Sequence, residues 1–265
     1  MPATQLPPSM KIPLASRVRR GGGYAVSTLM RLLPRRMRFR AAIVIARMAT
    51  PLLRIVSGIV RQRFGMRVES AREIVTYHLL EILTRNRVRF DPVVRTIGWE
   101  HAANALASGR GVLMVAPHAM LSTFILWLLT DTGAEMNVVS PSPMLVLGTG
   151  APVRLIDPTP VFLLQVRKVL REGGLVGAMF DRDVITTRST FEVPTDRGPV
   201  VVADALIHVA FRTKAQVVFH AGYMDGDDVV VTFEVPSGEE SQSMEGLTAA
   251  LIAFLQKHVS GLHSR

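Results

Sequence analysis

Two clusters of polar residues follow apolar stretches that have the length of buried β-strands. The stretch Val112–Ala116 is followed by Pro117 and His118, and the stretch 175–180 is followed by Asp181-Arg182-Asp183. An imidazole titrates near neutral pH, so a histidine at the end of a strand is suited to act as a general base. The simpler alternatives are a loop histidine bonded to backbone groups and a charged triplet that only forms ion pairs.

Strands and helices alternate along most of the chain, and this pattern predicts how the clusters are positioned. Strands that alternate with helices of this length form a parallel sheet covered on both faces, so we predict an α/β fold with a mostly parallel, mixed sheet flanked by helices. Ligands of such sheets bind beyond the carboxyl ends of the strands. Predicted strands lie at 112–116, 137–140, 153–156, 175–180, 190–193, 216–223 and 229–235, and predicted helices at 99–108, 119–131, 160–172, 199–212 and 246–259.

The first third of the chain is strongly basic. Residues 1–95 hold 19 of the 31 lysines and arginines but only four carboxylates, whereas residues 96–265 hold 12 basic and 17 acidic residues. Arginines recur every seven residues, at Arg40, Arg47, Arg54 and Arg61, with apolar blocks between them. This spacing predicts a basic amphipathic helix, kinked or divided at Pro51. We expect it to lie in a membrane interface, with arginines toward phosphates and aliphatic side chains toward acyl chains. A domain helix with solvent-facing arginines is the alternative.

Several other classes of protein are disfavoured. The chain has no apolar run of 18 residues, so a simple transmembrane span is not expected, and residues 1–23 are predicted to be a flexible lead-in rather than a signal peptide. Few aromatic residues accompany the arginines, which argues against a nucleic-acid partner. Without cysteine, there is no disulfide framework, thiolate metal site or cysteine nucleophile. We predict a basic membrane-associating arm at 1–68 and an α/β domain at 69–265.

Three segments, in this order, resemble one known family. Residues 97–118 end in Val115-Ala116-Pro117-His118, residues 169–183 end in Phe180-Asp181-Arg182-Asp183, and residues 187–194 read Thr187-Arg188-Ser189-Thr190-Phe191-Glu192-Val193-Pro194. Together with the basic amphipathic segment before them, they are similar to the late lipid A acyltransferases, also called lauroyl/myristoyl acyltransferases. That family includes the phosphatidylinositol-mannoside acyltransferases. The resemblance covers roughly residues 30–240 and implies a glycerolipid-acyltransferase-like fold.

The resemblance also implies an activity. Such enzymes transfer a fatty acyl group from acyl carrier protein or coenzyme A to a hydroxyl of a membrane amphiphile, and they need no metal or other cofactor. For this chain it implies a monomeric enzyme, peripheral or monotopic, at the cytoplasmic face of a bacterial inner membrane. The acceptor would be a membrane lipid such as a lipid A precursor or a glycolipid. His118 would be the catalytic base, and Arg182, Asp183, Thr123 and Arg188 would bind substrate.

One position departs from the family's pattern. The family's histidine is followed five positions later by an acidic residue, whereas Thr123 stands there in this chain. A carboxylate partner fixes the imidazole tautomer and stabilises the imidazolium formed during proton transfer, but a hydroxyl can only accept a hydrogen bond. Glu192 is the first candidate to replace the missing acidic partner of His118. In the mannoside branch, the corresponding position carries a glutamate that approaches the histidine. Asp181 and Asp183 are the next. A solvent-facing residue on a short strand is the simpler interpretation of Glu192.

Three functions therefore compete. In the first, His118 deprotonates an acceptor hydroxyl or amine that attacks the thioester, and the oxyanion is held by backbone N–H groups after His118 or by Arg182. The apolar helix at 119–131 lines an acyl channel or is plain core. Ser122 could be a nucleophile, but it is predicted to lie inside a helix rather than on a strained elbow turn. The second function is a non-catalytic relative that binds lipid or a partner at the membrane. The third is an esterase that releases the acyl group to water.

Overall fold

The computed structural model describes residues 14–64, 71–117, 120–130, 132–140, 153–180, 190–195 and 199–260. The predicted α/β fold is confirmed, with a mostly parallel, mixed sheet flanked by helices. The strands are β1 (Val94–Ile97), β2 (Val112–Ala116), β3 (Met136–Val139), β4 (Val153–Ile156), β5 (Leu175–Met179), β6 (Thr190–Val193), β7 (Val200–Ala203), β8 (Gln216–Asp225) and β9 (Asp228–Glu234). The α-helices are α1 (Leu14–Leu32), α2 (Arg35–Phe64), α3 (Ala71–Arg85), α4 (Trp99–Ala107), α5 (Ile125–Thr130), α6 (Phe162–Arg171), α7 (Ala205–Thr213) and α8 (Met244–Leu255).

The main sheet is built around β2. Its strand order is β1-β9-β8-β2-β5-β3-β4, and β2, β3, β4, β5 and β8 run parallel. Strand β9 is antiparallel to β8, and β1 is parallel to β9. Strands β6 and β7 pair separately as an antiparallel ribbon. Because β2 lies between β5 and β8, all five of its residues are buried, which explains its uninterrupted apolar sequence.

The sheet separates two apolar layers. Met114 of β2 faces the layer that contains residues of α1 to α5, whereas the next residue, Val115, faces the layer that contains α6, α7 and α8. Successive side chains of a strand point to opposite faces, so β2 supplies both layers with every second residue. A short 3₁₀ helix, Met120–Phe124, belongs to the first layer through Leu121 and Phe124. This 120–124 helix comes directly after the segment that carries His118.

The two amino-terminal helices are part of the first layer. Met30 of α1 and Phe39 and Ile43 of α2 are almost fully buried there. The lead-in prediction is therefore wrong from Leu14 onward; the helix approaches α3 closely at Gly23, where a Cβ would lie 3.2 Å from Ile82 Cγ2. The predicted boundary at 68/69 lies outside the described residues. In the parts of the chain that the structure describes, no helix has the length and apolarity needed to cross a bilayer.

Ion pairs connect these helices to the β8–β9 hairpin. Arg47 of α2 and Arg72 of α3 both pair with Asp227 at the hairpin tip. Hydrogen bonding from the Arg72 guanidinium holds the pKa of Asp227 below its usual value. Glu73 Oε1 accepts a hydrogen bond of 3.0 Å from the Met224 N–H. Arg47 thus connects α2, and Arg72 and Glu73 connect α3, to the hairpin formed by β8 and β9.

Most elements lie where the sequence predicts them, but β1 was not predicted, and the predicted helix 119–131 is instead the 3₁₀ helix 120–124 followed by α5. Each predicted strand is present, with ends within two residues of those expected. The predicted helix 199–212 is wrong in its first part, because residues 200–203 form β7 and α7 starts only at Ala205. The run Val200-Val201-Val202 is β-branched and favours a strand. Helix α2 continues through Pro51, so the chain is not divided there.

Candidate functional site

The two polar clusters singled out in the sequence follow neighbouring strands. Strands β2 and β5 pair in parallel as far as Ala116 and Met179, and the Phe180 N–H donates to Ala116 O across 3.3 Å. The predicted site residues His118, Asp181, Arg182, Asp183 and Arg188 lie outside the described residues. The described chain nevertheless enters both clusters from adjacent points on the carboxyl edge of the sheet. At this edge, open parallel sheets bind their ligands.

A third segment reaches the same edge. The Ala203 N–H at the end of β7 donates to Phe180 O across 3.0 Å. Because β7 pairs with β6, this bond attaches the ribbon that contains Glu192 to the end of β5. The ends of β2, β5 and β7 are therefore joined in sequence by main-chain hydrogen bonds. All three segments of the family resemblance lead into or out of this group of strand ends.

Asp204 is a carboxylate at this edge that the sequence analysis did not single out. It directly follows Ala203, and its side chain is only 16% exposed. Its Oδ2 atom lies 3.4 Å from His208 Nε2, and it makes no capping bond to α7, although it occupies the N-cap position. The predicted helix 199–212 had placed it in a helix interior. The valine run before it was the signal for a strand that ends there.

Glu192 has a different environment. In the β6–β7 ribbon it lies opposite Val201, and both side chains are exposed. The neighbouring Val193 and Val202 are fully buried on the other face of the ribbon. The Glu192 carboxylate thus occupies the outward face. Its pairing with His118 stays a prediction, which would require the chain at 118 to reach that face.

Thr123 and Ser122 lie in the 120–124 helix, and both are buried. Ser122 Oγ accepts a hydrogen bond of 3.0 Å from the Gly222 N–H of β8, which ties the helix to the sheet. This contact gives Ser122 a structural function and agrees with its predicted location inside a helix. Thr123 is five residues after His118 in the sequence, and its hydroxyl is buried and uncharged.

His220 was also missed by the sequence analysis. It lies on β8 and is only 4% exposed, with its ring stacked on Phe233 at a centroid distance of 6.1 Å. Its Nδ1 atom is buried and has no hydrogen-bond partner among the residues that the structure describes. Burial lowers the pKa of this imidazole to about 4, so it is neutral at physiological pH. The signal in the sequence was one polar residue within the apolar run Val217-Val218-Phe219-His220-Ala221.

His220 makes stability depend on pH below neutrality. The pKa is about 4 in the folded protein and about 6.5 for an exposed histidine. Since the folded state binds this proton less readily, stability is unaffected above pH 6.5 and falls as the pH drops from about 6.5 to about 4. We expect a loss of roughly 2.5 kcal/mol between pH 7.5 and 4.5, at about 1.4 kcal/mol per pKa unit. Urea unfolding at both pH values measures it.

The matched variant is His220→Phe, which keeps an aromatic ring against Phe233 but cannot titrate. Other titrating groups are common to both proteins, so the difference between them isolates His220. Equal losses of stability in the two proteins would contradict the prediction.

In comparisons with known proteins, no family model and no curated sequence matches the chain. The resemblance to the lipid acyltransferases thus rests on the three sequence segments and stays a prediction.

Proposed function

We propose that this chain is an acyltransferase that moves a fatty acyl group from an acyl-carrier-protein or coenzyme A thioester to a hydroxyl or amine of a membrane amphiphile. The observation that carries the proposal is the group of strand ends at Ala116, Phe180 and Ala203, joined by main-chain hydrogen bonds. A single catalytic centre requires its residues to come together, and the described strands that adjoin the three resembling segments have neighbouring ends at this edge. Separate edges would have argued against one site.

The proposed reaction needs one base and one oxyanion site. His118 Nε2 takes the proton of the acceptor hydroxyl as its oxygen attacks the thioester carbonyl carbon. The carbonyl electron pair moves onto oxygen and returns as the carbon–sulfur bond breaks, and the imidazolium gives its proton to the leaving thiolate. Backbone N–H groups after His118, or Arg182, would hold the oxyanion. A thioester is already activated, so no metal or covalent enzyme intermediate takes part.

The imidazolium formed in this step requires a negative neighbour, which Thr123 does not supply. Asp181 and Asp183 follow β5, whose end adjoins that of β2, and Glu192 follows on the ribbon. Comparing the variants Asp181→Asn, Asp183→Asn and Glu192→Gln would identify the partner. Removing the carboxylate that pairs with His118 leaves the imidazolium unstabilised. The variant at that position should therefore lower the rate of acyl transfer far more than the other two variants.

The direct test is transfer of a labelled acyl group from acyl carrier protein or coenzyme A into an extracted bacterial lipid pool. Labelled lipid in the presence of the purified chain supports the proposal. Labelled free fatty acid without acylated lipid would show an esterase instead. If neither product forms with any donor although the chain binds the lipid pool, the protein is a lipid-binding relative, as the uncharged Thr123 would suggest.

We further propose that the enzyme works at an anionic membrane surface, with α1 and α2 against the lipid. Side chains of the first apolar block that were expected to face lipid, including Ala42, Ile43 and Ala46, are instead buried in the core. A different row is exposed to solvent. Its members, between 49% and 79% exposed, are Leu29, Leu32, Met37, Val44 and Met48.

Arginines lie beside this exposed apolar row. On α2, Met37, Val44 and Met48 are seven and four residues apart and share a stripe. The neighbouring stripe carries three exposed arginines that are four and seven residues apart, namely Arg36, Arg40 and Arg47. An apolar row beside a cationic row matches the boundary between acyl chains and headgroup phosphates.

Replacing Arg40, Arg47, Arg54 and Arg61 by glutamine is expected to weaken binding to anionic liposomes by about 100-fold or more, since each cation near such a surface contributes about 1 kcal/mol. Cosedimentation with phosphatidylglycerol vesicles at low salt measures it. The control removes four exposed cations from α6 and α7, namely Arg167, Lys168, Arg171 and Arg212. If the α2 variant and the control variant weaken liposome binding equally, the effect comes from net charge alone, and a docking face on α2 is refuted.

A further inference from the structure

A group of arginines lies where the turn between α1 and α2 meets the segment that connects α3 to β1. The Arg38 guanidinium donates to Arg31 O across 3.1 Å and to Arg89 O across 2.8 Å. The Arg31 guanidinium donates in turn to Asn86 O across 2.7 Å. These bonds hold the end of α1 against residues 86–89, so the side chain of Arg31 lies beside that segment.

Three members of this group, which we call the arginine cluster, face solvent. They are Arg31, Arg87 and Arg89, and all three are exposed. Val88 and Phe90 are buried, at 2% and 0% exposed. Because burial alternates along this segment, Arg87 and Arg89 both point away from the core.

The carboxylates that follow and precede the cluster in the chain are already paired. Asp91 lies 2.6 Å from an Arg35 nitrogen, and Glu81 lies 2.7 Å from an Arg85 nitrogen. Among the residues that the structure describes, no carboxylate forms an ion pair with an arginine of the cluster. Like charges held on one short segment repel each other, and a bound anion would relieve this repulsion.

The cluster lies on the side of the sheet to which β2 points. Strand β1 follows the cluster, and its first residue, Val94, is the register partner of Val229, which is in turn the partner of Met224 on β8. Met224 comes well after Phe219, the partner of Val115 on β2. The start of β1 is therefore beyond the carboxyl end of β2, on the side of the candidate site.

Aromatic packing attaches the cluster to the 120–124 helix. Phe90, next to Arg89, stacks on Phe39 at a centroid distance of 6.0 Å, and Phe39 meets Phe124 edge to face at 5.9 Å. All three rings are almost fully buried. The cluster is thus part of the domain that carries the candidate site.

Exposed apolar side chains accompany the cluster. Leu32, next to Arg31, is 79% exposed, and Leu29 is 58% exposed. Both belong to the apolar row that we propose to face acyl chains, and cations beside such a row lie at the depth of headgroup phosphates. Guanidinium groups match phosphate oxygens in bidentate geometry. Three of them suit a phosphomonoester, which has three terminal oxygens and nearly two negative charges at neutral pH.

We propose that the arginine cluster is a binding site for the phosphomonoester headgroup of a membrane lipid. This inference rests on the proposed membrane contact but not on acyl transfer, and the bound lipid is a component of the membrane surface rather than a reactant. The three guanidinium groups donate to the terminal phosphate oxygens, while the exposed leucines contact the acyl chains. A lipid held in this way brings the carboxyl edge of the sheet to the membrane surface.

The first test compares two vesicles matched in zeta potential. One contains phosphatidic acid, a phosphomonoester, and the other contains phosphatidylglycerol, a phosphodiester, both in phosphatidylcholine. We expect about 10-fold tighter binding to the phosphatidic acid vesicles, since a hydrogen bond to a charged group commonly contributes that much. Cosedimentation at pH 7.5 measures both affinities. Equal binding to the two vesicles would overturn the inference and leave the acyltransferase proposal untouched.

The variants Arg87→Gly and Lys214→Gly form a matched pair. Each residue follows the end of a helix with a positive φ, 56° at Arg87 and 55° at Lys214, and glycine is favoured in this conformation. Neither change should therefore lower the melting temperature. Arg87→Gly should lose most of the preference for phosphatidic acid, whereas Lys214→Gly, at the end of α7, should keep it. If Arg87→Gly combined with Arg89→Gln retains the wild-type preference, the cluster is not the site.

Glycerol 3-phosphate, which is the headgroup without acyl chains, distinguishes a lipid from a soluble phosphate. Short-chain phosphatidic acid below its micelle concentration should bind about 10-fold more tightly than glycerol 3-phosphate, as expected for burial of one leucine-sized apolar group. Isothermal titration calorimetry measures both. Equal affinities would assign the cluster to a soluble phosphate ester and overturn the lipid assignment. The glutamine variant of the four α2 arginines should weaken binding to both vesicles and keep their ratio, so a failed membrane face and a failed phosphate site give different results.

Discussion

Replacing His118 with alanine is expected to reduce acyl transfer by about 10² to 10⁴-fold, the usual contribution of a positioned general base. The acceptor hydroxyl is a poor nucleophile until its proton is removed, and in the proposed reaction no other group takes this proton. Binding of the acyl donor should change little, because the imidazole acts mainly in the transition state. Initial rates of acyl transfer measure the effect, with a labelled acyl group on acyl carrier protein and with saturating donor and acceptor.

The control for this variant is a histidine outside the site. His101 of α4 is exposed, and α4 packs mainly against β9 rather than at the end of β2, so His101→Ala should retain wild-type activity. Thr123→Ala gives a second comparison, since a hydroxyl that only orients the ring should matter less than the ring itself. Transfer that survives His118→Ala at more than about a tenth of the wild-type rate would remove His118 from the chemistry.

The sequence predicted the strands of the site better than its side chains. Strands β2 and β5 are buried on both sides, so their apolar runs and the polar residues that end them are visible without a structure. Strand β7 was misassigned, because a run such as Val200–Ala203 is compatible with the start of a buried helix. Its partner β6 precedes it by a short connection, so the hairpin is local in the sequence, whereas the bond from Ala203 to Phe180 at the end of β5 is a contact that a local pattern does not contain.

The orientation of site residues depends on the same kind of long-range information. Glu192 was selected by resemblance, and only the register of β6 with β7 reveals that it shares an outward face with Val201. His220 and Asp204 were passed over because one lies inside an apolar strand and the other inside a predicted helix. Both become candidates once β8 is placed beside β2 and β7 beside β5. Strand order, not composition, brings them to the site edge.

The amino-terminal helices illustrate a further limit. A spacing of seven predicted a helix, and α2 spans this segment, yet the spacing did not determine which apolar side chains are exposed. Ile43 is buried in the core while Val44, the next residue, is exposed. In the proposed membrane contact, α2 would have one apolar face toward the domain and another toward lipid, and the sequence alone does not assign them.

Replacing Gly222 with valine is expected to lower the free energy of unfolding by about 4 kcal/mol or more, at the upper end for overpacked cores. Any Cβ at this position would overlap the backbone of Leu121 and lie 2.6 Å from Ser122 N. Because backbone atoms cannot rotate away as a flexible side chain can, the 120–124 helix must move off the sheet. Chemical denaturation monitored by circular dichroism measures the loss.

A displaced helix should also reduce activity in the fraction that remains folded, because the helix begins two residues after His118 and lies beside His220. The matched control is Gly238→Val, where a Cβ meets no atom within 4 Å, so that variant should lose less than about 1 kcal/mol, as is usual for surface substitutions. Similar stability of the two variants would mean that the helix yields freely at Gly222. Its attachment to β8 would then be too weak to hold the segment after β2 against the sheet, and the site would need another support.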